Sequence, residues 1–174
     1  KKIKFIQSRA FRFEYLLFKK FYKKKINNKI IILLNLDKET CIEIIDKIKK
    51  TKFAKNNNTV FIKEHPLLRL SQFYKKSLPN NFKIIEGKFY DVIKKFKVII
   101  TSGSSSSVYE SLLSGSKIIF PINDYYDNLN LEMLDVPKSY YKVCNNVREL
   151  DTYISKFLSQ DINYFEHYKN KLKN

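Results

Sequence analysis

The residues best suited to chemistry lie in the stretch Val98-Ile99-Ile100-Thr101-Ser102-Gly103-Ser104-Ser105-Ser106-Ser107-Val108-Tyr109-Glu110. An apolar run passes into a glycine and small hydroxyls, and these pass into a helical pattern. A helix N-terminus at that point offers free backbone N–H groups and the positive end of the helix dipole. Small residues let a phosphate approach the backbone, and serine hydroxyls add donors. Capping a helix takes one hydroxyl. The serines from Ser104 to Ser107 exceed that need, so the loop reads as a phosphate cradle without a Walker lysine. Ser102, Gly103, Ser104, Ser105, Ser106 and Ser107 are its candidate residues.

Glu110 follows Ser107 by three positions, the spacing of a capping box. It could instead accept hydrogen bonds from ribose hydroxyls, as an acidic residue near a sheet edge does. Spacing leaves both readings open. His65 and Pro66 close another apolar run. The imidazole could donate to a phosphate oxygen, most strongly when protonated, or bond local backbone. Its place beside the serine loop, at the same sheet edge, favours the former. His167 falls in a terminal amphipathic pattern and reads as a surface residue. No nucleophile–base pair, metal cluster or paired carboxylates emerge, and the serines lack the Gly-x-Ser-x-Gly frame of a hydrolase elbow. Asp124 and Asp127 lie among aromatics in a loop.

These residues need elements to position them. Residues 30–34 form a continuous apolar run, the pattern of a strand buried on both faces. Ile42, Ile45 and Ile48 give a helical stripe, so 38–51 is expected as a helix. Further strands are expected at 60–62, 82–85, 98–101 and 117–120, with helices at 67–77, 89–96 and 108–114, the last stopped by Gly115. Val143 starts a short sixth strand, 147–158 is a helix, and 161–173 a final one. Strands alternating with helices imply βαβ units and a parallel sheet. The expected fold class is therefore α/β, a Rossmann-like parallel sheet with helices on both faces. Ligands of such sheets bind beyond the carboxyl ends of the strands. That rule selects the loops 35–37, 64–66 and 102–107.

The organisation follows. Residues 1–28 read as a basic N-terminal helix or linker with an aromatic stripe of Phe11, Tyr15, Phe18 and Tyr22. Residues 29–158 form the ligand-binding domain, and 159–174 a C-terminal helix. At 174 residues and 44% hydrophobic, the chain suits one domain with a substantial core. Cys41 and Cys144 match no metal-ligand spacing and read as buried thiols, which suits a reducing cytoplasm. No apolar run spans a bilayer, and the N-terminus lacks a signal-peptide pattern. The expected location is cytoplasmic, with at most peripheral attachment to the inner membrane. The net charge of +17 fits either a basic face or a composition crowded with Lys, Asn and Ile. The scarcity of Arg favours the compositional reading, and no nucleic-acid partner is expected. The densest cluster, Lys19, Lys20, Lys23, Lys24 and Lys25, could still touch anionic lipid.

Lys63-Glu64-His65-Pro66, the segment from Ile99 to Ser107, Glu110, and Gly115 through Pro121 together resemble the C-terminal domain of GT-B glycosyltransferases. The resemblance covers roughly residues 29–150. It is strongest to bacterial enzymes that use CMP-activated sugars, the polysialyltransferases and Kdo transferases of capsule and lipopolysaccharide synthesis. The resemblance implies that His65, with Pro66, and the serine loop hold the nucleotide phosphate, and that Glu110 meets the ribose. It implies a nucleotide-sugar donor as substrate, no cofactor, and no metal. The acceptor would be a glycan or glycolipid, and an N-terminal GT-B domain would supply the acidic catalytic residue. Teichoic-acid polymerases, UDP-sugar 2-epimerases and a non-catalytic nucleotide-binding fragment are the alternatives. Asp37, Glu64, Asp124 and Asp127 are the carboxylates to search if the chain acts alone.

Overall fold

A computed structural model describes residues 27–102, 106–122 and 138–160. The expected helices at 11–22 and 161–173, and the loop carrying Asp124 and Asp127, lie outside the described residues. Six strands form one sheet: β1 (Asn27–Leu33), β2 (Val60–Lys63), β3 (Phe82–Ile84), β4 (Phe96–Thr101), β5 (Lys117–Pro121) and β6 (Tyr141–Cys144). Their order is β3-β2-β1-β4-β5-β6, and every pairing is parallel. The helices are α1 (Lys38–Lys50), α2 (Lys52–Lys55), α3 (Leu70–Phe73), α4 (Phe89–Ile93), α5 (Ser106–Leu113) and α6 (Val147–Ser159).

The period of two explains the continuous apolar runs. On one face Ile30, Ile32, Val60, Ile62, Val98, Ile100 and Ile119 pack with residues of α1, α3 and α6. On the other, Ile31, Leu33 and Ile99 pack with Val92 and Ile93 of α4. The central strands β1, β4 and β5 must then be apolar at consecutive positions, because there neither face meets water. β4 is buried at all its positions, so it can carry no polar alternation. Its one charged residue, Lys97, donates its ammonium to the carbonyl of Leu158.

Local chemistry sets the helix ends. Asp37 caps α1 by accepting from the Thr40 N–H at 3.2 Å. Thr51 ends α1 and caps α2, accepting from Ala54 N–H. Asp151 of α6 accepts from the N–H groups of Lys52 and Phe53, which ties α6 to the start of α2. Gly115 ends α5 with φ 87°, a left-handed conformation that glycine adopts without a Cβ clash. The expected helix over 67–77 is corrected to the single turn of α3. The carboxylate of Glu64 accepts from Leu70 N–H at 2.6 Å and fixes the start. Tyr74 leaves helical geometry, and its hydroxyl donates to Asp46 at 2.9 Å. Lys76 also reaches Asp46, so the chain is drawn onto α1 instead of continuing the turn.

Candidate functional site

Strand order reverses between β1 and β4, since β1 connects outward to β2 and the chain returns to the other side of β1 at β4. Loops leaving the two strands on either side of such a reversal diverge and leave a crevice. A cavity of about 750 Å³ occupies that place. Its walls come from the carboxyl ends of β1, β2 and β4, the loop before α4, and the first turns of α5.

Five hydrogen bonds hold these elements together. Asn35 Nδ2 donates to Ser102 Oγ at 2.8 Å and joins the loops after β1 and β4. Asn35 Oδ1 accepts from Asp37 N–H at 2.9 Å and from the Cys41 thiol at 3.3 Å. Thr101 Oγ1 donates to the Leu33 carbonyl at 3.3 Å, stitching the ends of β4 and β1. Ser116 Oγ donates to the Phe96 carbonyl at 2.8 Å, which anchors the far end of α5 to the start of β4.

The structure brings His65, Pro66, Ser107 and Glu110 to this one cavity. His65 Nδ1 accepts from Leu67 N–H at 3.2 Å, so in the neutral ring the proton sits on Nε2. A histidine held in that tautomer presents an N–H donor. Glu110 is 9% exposed and is the fifth residue of α5. The capping-box reading is thereby corrected. It requires Ser107 at the N-cap, and Ser107 is already inside the helix. Ser107 instead lines the cavity, with its carbonyl accepting from Ser111 Oγ. Ser102 is buried and holds Asn35; it does not line the cavity. Ser106 opens α5. Gly103, Ser104 and Ser105 lie outside the described residues.

Sequence reasoning missed the loop of Gly87, Lys88 and Phe89, which forms a further wall. Gly87 has φ 114°, a conformation that side chains rarely adopt. A glycine just after an expected strand, at the same sheet edge, was the available signal. Lys63 and Lys88 also line the cavity, and neither ammonium pairs with a carboxylate among the described residues. Two of the cavity's acids hold local structure: Asp37 caps α1, and Glu64 bonds Leu70 N–H and Arg69. Both cysteines are buried free thiols. Burial pushes Cys41 up to about 11 and Cys144 up to about 12, so neither is a ready nucleophile. Among the described residues, no group of His, Cys, Asp and Glu could hold a metal ion. No described helix is long and apolar enough to cross a membrane.

No model of a known protein family matches the chain, and no curated protein matches it. Solved structures do share its fold. The glycosyltransferase of kitacinnamycin is 14% identical with a TM-score of 0.56, over 97% of this chain and 43% of that one. The spinosyn forosaminyltransferase SpnP is 12% identical with a TM-score of 0.59, over 91% of this chain and 42% of that one. The glycosyltransferase VinC, solved in complex with dTDP, is 10% identical with a TM-score of 0.51, over 88% of this chain and 38% of that one. At such identities the likeness is one of fold: a Rossmann-like α/β sheet that spans about two fifths of the length of these glycosyltransferases.

Proposed function

We propose that this chain is the donor-binding half of a GT-B glycosyltransferase and that its cavity takes a CMP-activated sugar. The observation that carries the reading is the meeting of His65, Ser107 and Glu110 in one cavity at the strand-order reversal. In this reading the nucleotide phosphate lies at the N-terminus of α5, against the serine loop up to Ser107, with Ser102 bracing that loop through Asn35. His65 donates from Nε2 to a phosphate oxygen, Pro66 shapes the turn behind it, and Glu110 accepts from a ribose hydroxyl. When the bond from the anomeric carbon to the phosphate oxygen breaks, negative charge grows on the departing nucleotide. Donors fixed at that oxygen bind the transition state more tightly than the ground state. Lys63 and Lys88 add positive potential to the same cavity. The donor is a substrate, and the scheme uses neither a cofactor nor a metal.

The whole enzyme would pair this half with an N-terminal domain that brings a glycan or glycolipid acceptor and the catalytic acid. Capsule or lipopolysaccharide synthesis, on the cytoplasmic side of a membrane, is the setting the CMP-sugar resemblance implies. A second reading has two observations in its favour. Lys63 and Lys88 of the cavity, which pair with no carboxylate among the described residues, suit a second phosphate, and VinC was solved with a nucleoside diphosphate. Calorimetry with CMP, UMP, AMP, UDP and dTDP tests both. CMP is expected to bind tightest. Tighter binding of UDP or dTDP would transfer the assignment to nucleoside-diphosphate sugars, and no binding of any nucleotide would overturn the donor-site reading.

A further inference from the structure

Beyond β2 the chain turns sharply. Lys63 ends the strand, and Leu68 and Leu70 are already buried in the core. Between them His65 to Leu68 form a reverse turn, in which Leu68 N–H donates to the His65 carbonyl at 3.1 Å. Pro66 takes the second position of that turn, where its fixed φ is favourable. Proline has no N–H, so the first backbone donor after His65 is that of Leu67. It donates to His65 Nδ1 at 3.2 Å. The bond needs an unprotonated Nδ1 and leaves Nε2–H as the donor of the neutral ring.

Glu64 closes this loop from its other end. One carboxylate oxygen accepts from Leu70 N–H at 2.6 Å, and the other from Arg69 Nη1 at 3.2 Å. Arg69 N–H is itself held by Gln72 Oε1 at 3.0 Å. The Glu64 side chain is 10% exposed, and a charge so covered is stable only when its oxygens are bonded. A single carboxylate thus ties residue 64 to residues 69 and 70, with the His65 turn between them. Glu64 also lines the nucleotide cavity. A carboxylate repels a phosphate, so direct contact with the nucleotide phosphate does not account for its place there. We propose that Glu64 is a positioning residue for His65: it holds the turn that keeps Leu67 N–H on Nδ1, and so keeps Nε2–H as the ring's donor to a phosphate oxygen. The role rests on the nucleotide reading of the cavity, and it adds the residue through which the phosphate donor is set.

The test uses the full chain labelled with nitrogen-15. The chain has two histidines, so the spectrum of His65→Ala identifies the His65 ring. At about pH 8 an ordinary imidazole is neutral, and the wild-type ring nitrogens should be well separated, one bare and one carrying hydrogen. In Glu64→Ala that separation should shrink as the second tautomer is populated, and the Leu67 amide proton should move upfield as its bond is lost. CMP calorimetry gives the second readout. Glu64→Ala should bind on the order of tenfold more weakly. Glu64→Ala/His65→Ala should match His65→Ala within about twofold, because Glu64 acts through the ring. Glu64→Gln keeps an acceptor for Leu70 N–H and should restore most of both readouts. Glu64→Asp, one methylene shorter, carries the same comparison where Glu64→Ala does not fold. An unchanged ring pattern in the variants would overturn the proposal, and so would an equal loss of affinity with and without His65. A wild-type chain that binds no nucleotide would sink the donor-site reading instead, and the ring pattern alone would then decide whether Glu64 holds His65.

Discussion

Asn35 commits each polar group of its side chain to loop geometry. Its amide donates to Ser102, and its oxygen accepts from Asp37 N–H and the Cys41 thiol. No side chain of another type with that reach supplies both a donor and a doubly used acceptor. Asn35→Ala should therefore cost about 1–3 kcal/mol of stability and weaken nucleotide binding several-fold, because the serine loop loses its brace. Asn35→Asp keeps the acceptor, and Ser102 can turn its hydroxyl to donate, so most of the stability should return. Thermal denaturation and CMP calorimetry on both variants decide it; equal destabilisation by Ala and Asp would show that the amide donor is the whole effect. His65 is a different case, since its ring accepts a local bond from Leu67 N–H and lines the cavity. His65→Ala is expected to reduce CMP affinity on the order of tenfold, the value of a hydrogen bond to a charged group, with little change in melting temperature. Unfolding with affinity intact would make His65 structural. As cavity residues, His65 was legible because a histidine is rare beside an apolar strand end, and Glu110 because it lies on the helix that follows β4 and the serine run. Asn35 was not, because one asparagine in an Asn- and Lys-rich chain carries no signal until its partners are known.

At the scale of elements, the parallel sheet was the most legible feature, because a strand buried on both faces has to be apolar throughout. Ile30 to Leu33 of β1 and Val98 to Ile100 of β4 obey this, and each strand starts earlier than its apolar run, β1 at Asn27 and β4 at Phe96. The short helices were less legible, because a single turn presents too few residues for a period. The reading of 67–77 went astray at Tyr74, whose bond to Asp46 on α1 depends on a contact distant in sequence. That contact also sets a pH dependence. Burial alone would raise the Asp46 carboxyl, but the bonds from Lys76 and Tyr74 outweigh it and hold the group below its ordinary value of 3.8. A carboxylate with a depressed folded value adds stability above its unfolded value, and loses it as pH falls through the folded one. Tyr74→Phe should cost about 1 kcal/mol at neutral pH, and the gap to wild type should narrow in acid below the carboxylate range. Urea titrations at both pH values measure it, and a gap that widens in acid would refute the linkage. Gly87 makes the complementary case for a loop. A Cβ there would meet Val92 Cγ2 at 3.5 Å, an ordinary contact, so the cost of Gly87→Ala is backbone strain at φ 114°. About 1–3 kcal/mol is expected from equilibrium denaturation, and a neutral substitution would show that the loop relaxes freely.

For the whole molecule the question is whether holding a donor suffices for transfer. Proton removal from an acceptor hydroxyl needs a base within hydrogen-bond reach. Of the acids around the cavity, Asp37 is taken by the Thr40 N–H, Glu64 by Leu70 N–H and Arg69, and Glu110 is assigned to the ribose in the proposed scheme. The rim beside them is apolar where it faces outward: Leu36 and Leu67 are 57% and 78% exposed. Leu36 lines the cavity and Leu67 follows the cavity residue Pro66; two exposed leucines so placed suit a surface that another domain covers. The chain also spans about two fifths of the length of the glycosyltransferases that share its fold. We therefore expect the 174-residue chain to bind CMP yet release none from a CMP-sugar, with or without a surface-glycan acceptor. The measurement is CMP release beside CMP calorimetry on the same preparation. Leu67→Ser should leave nucleotide binding unchanged and reduce self-association in light scattering. Sustained turnover by the chain alone would defeat the half-enzyme reading. Glu110→Gln would then be the decisive variant, because Glu110 is the cavity carboxylate that the cap of α1 and the start of α3 do not use.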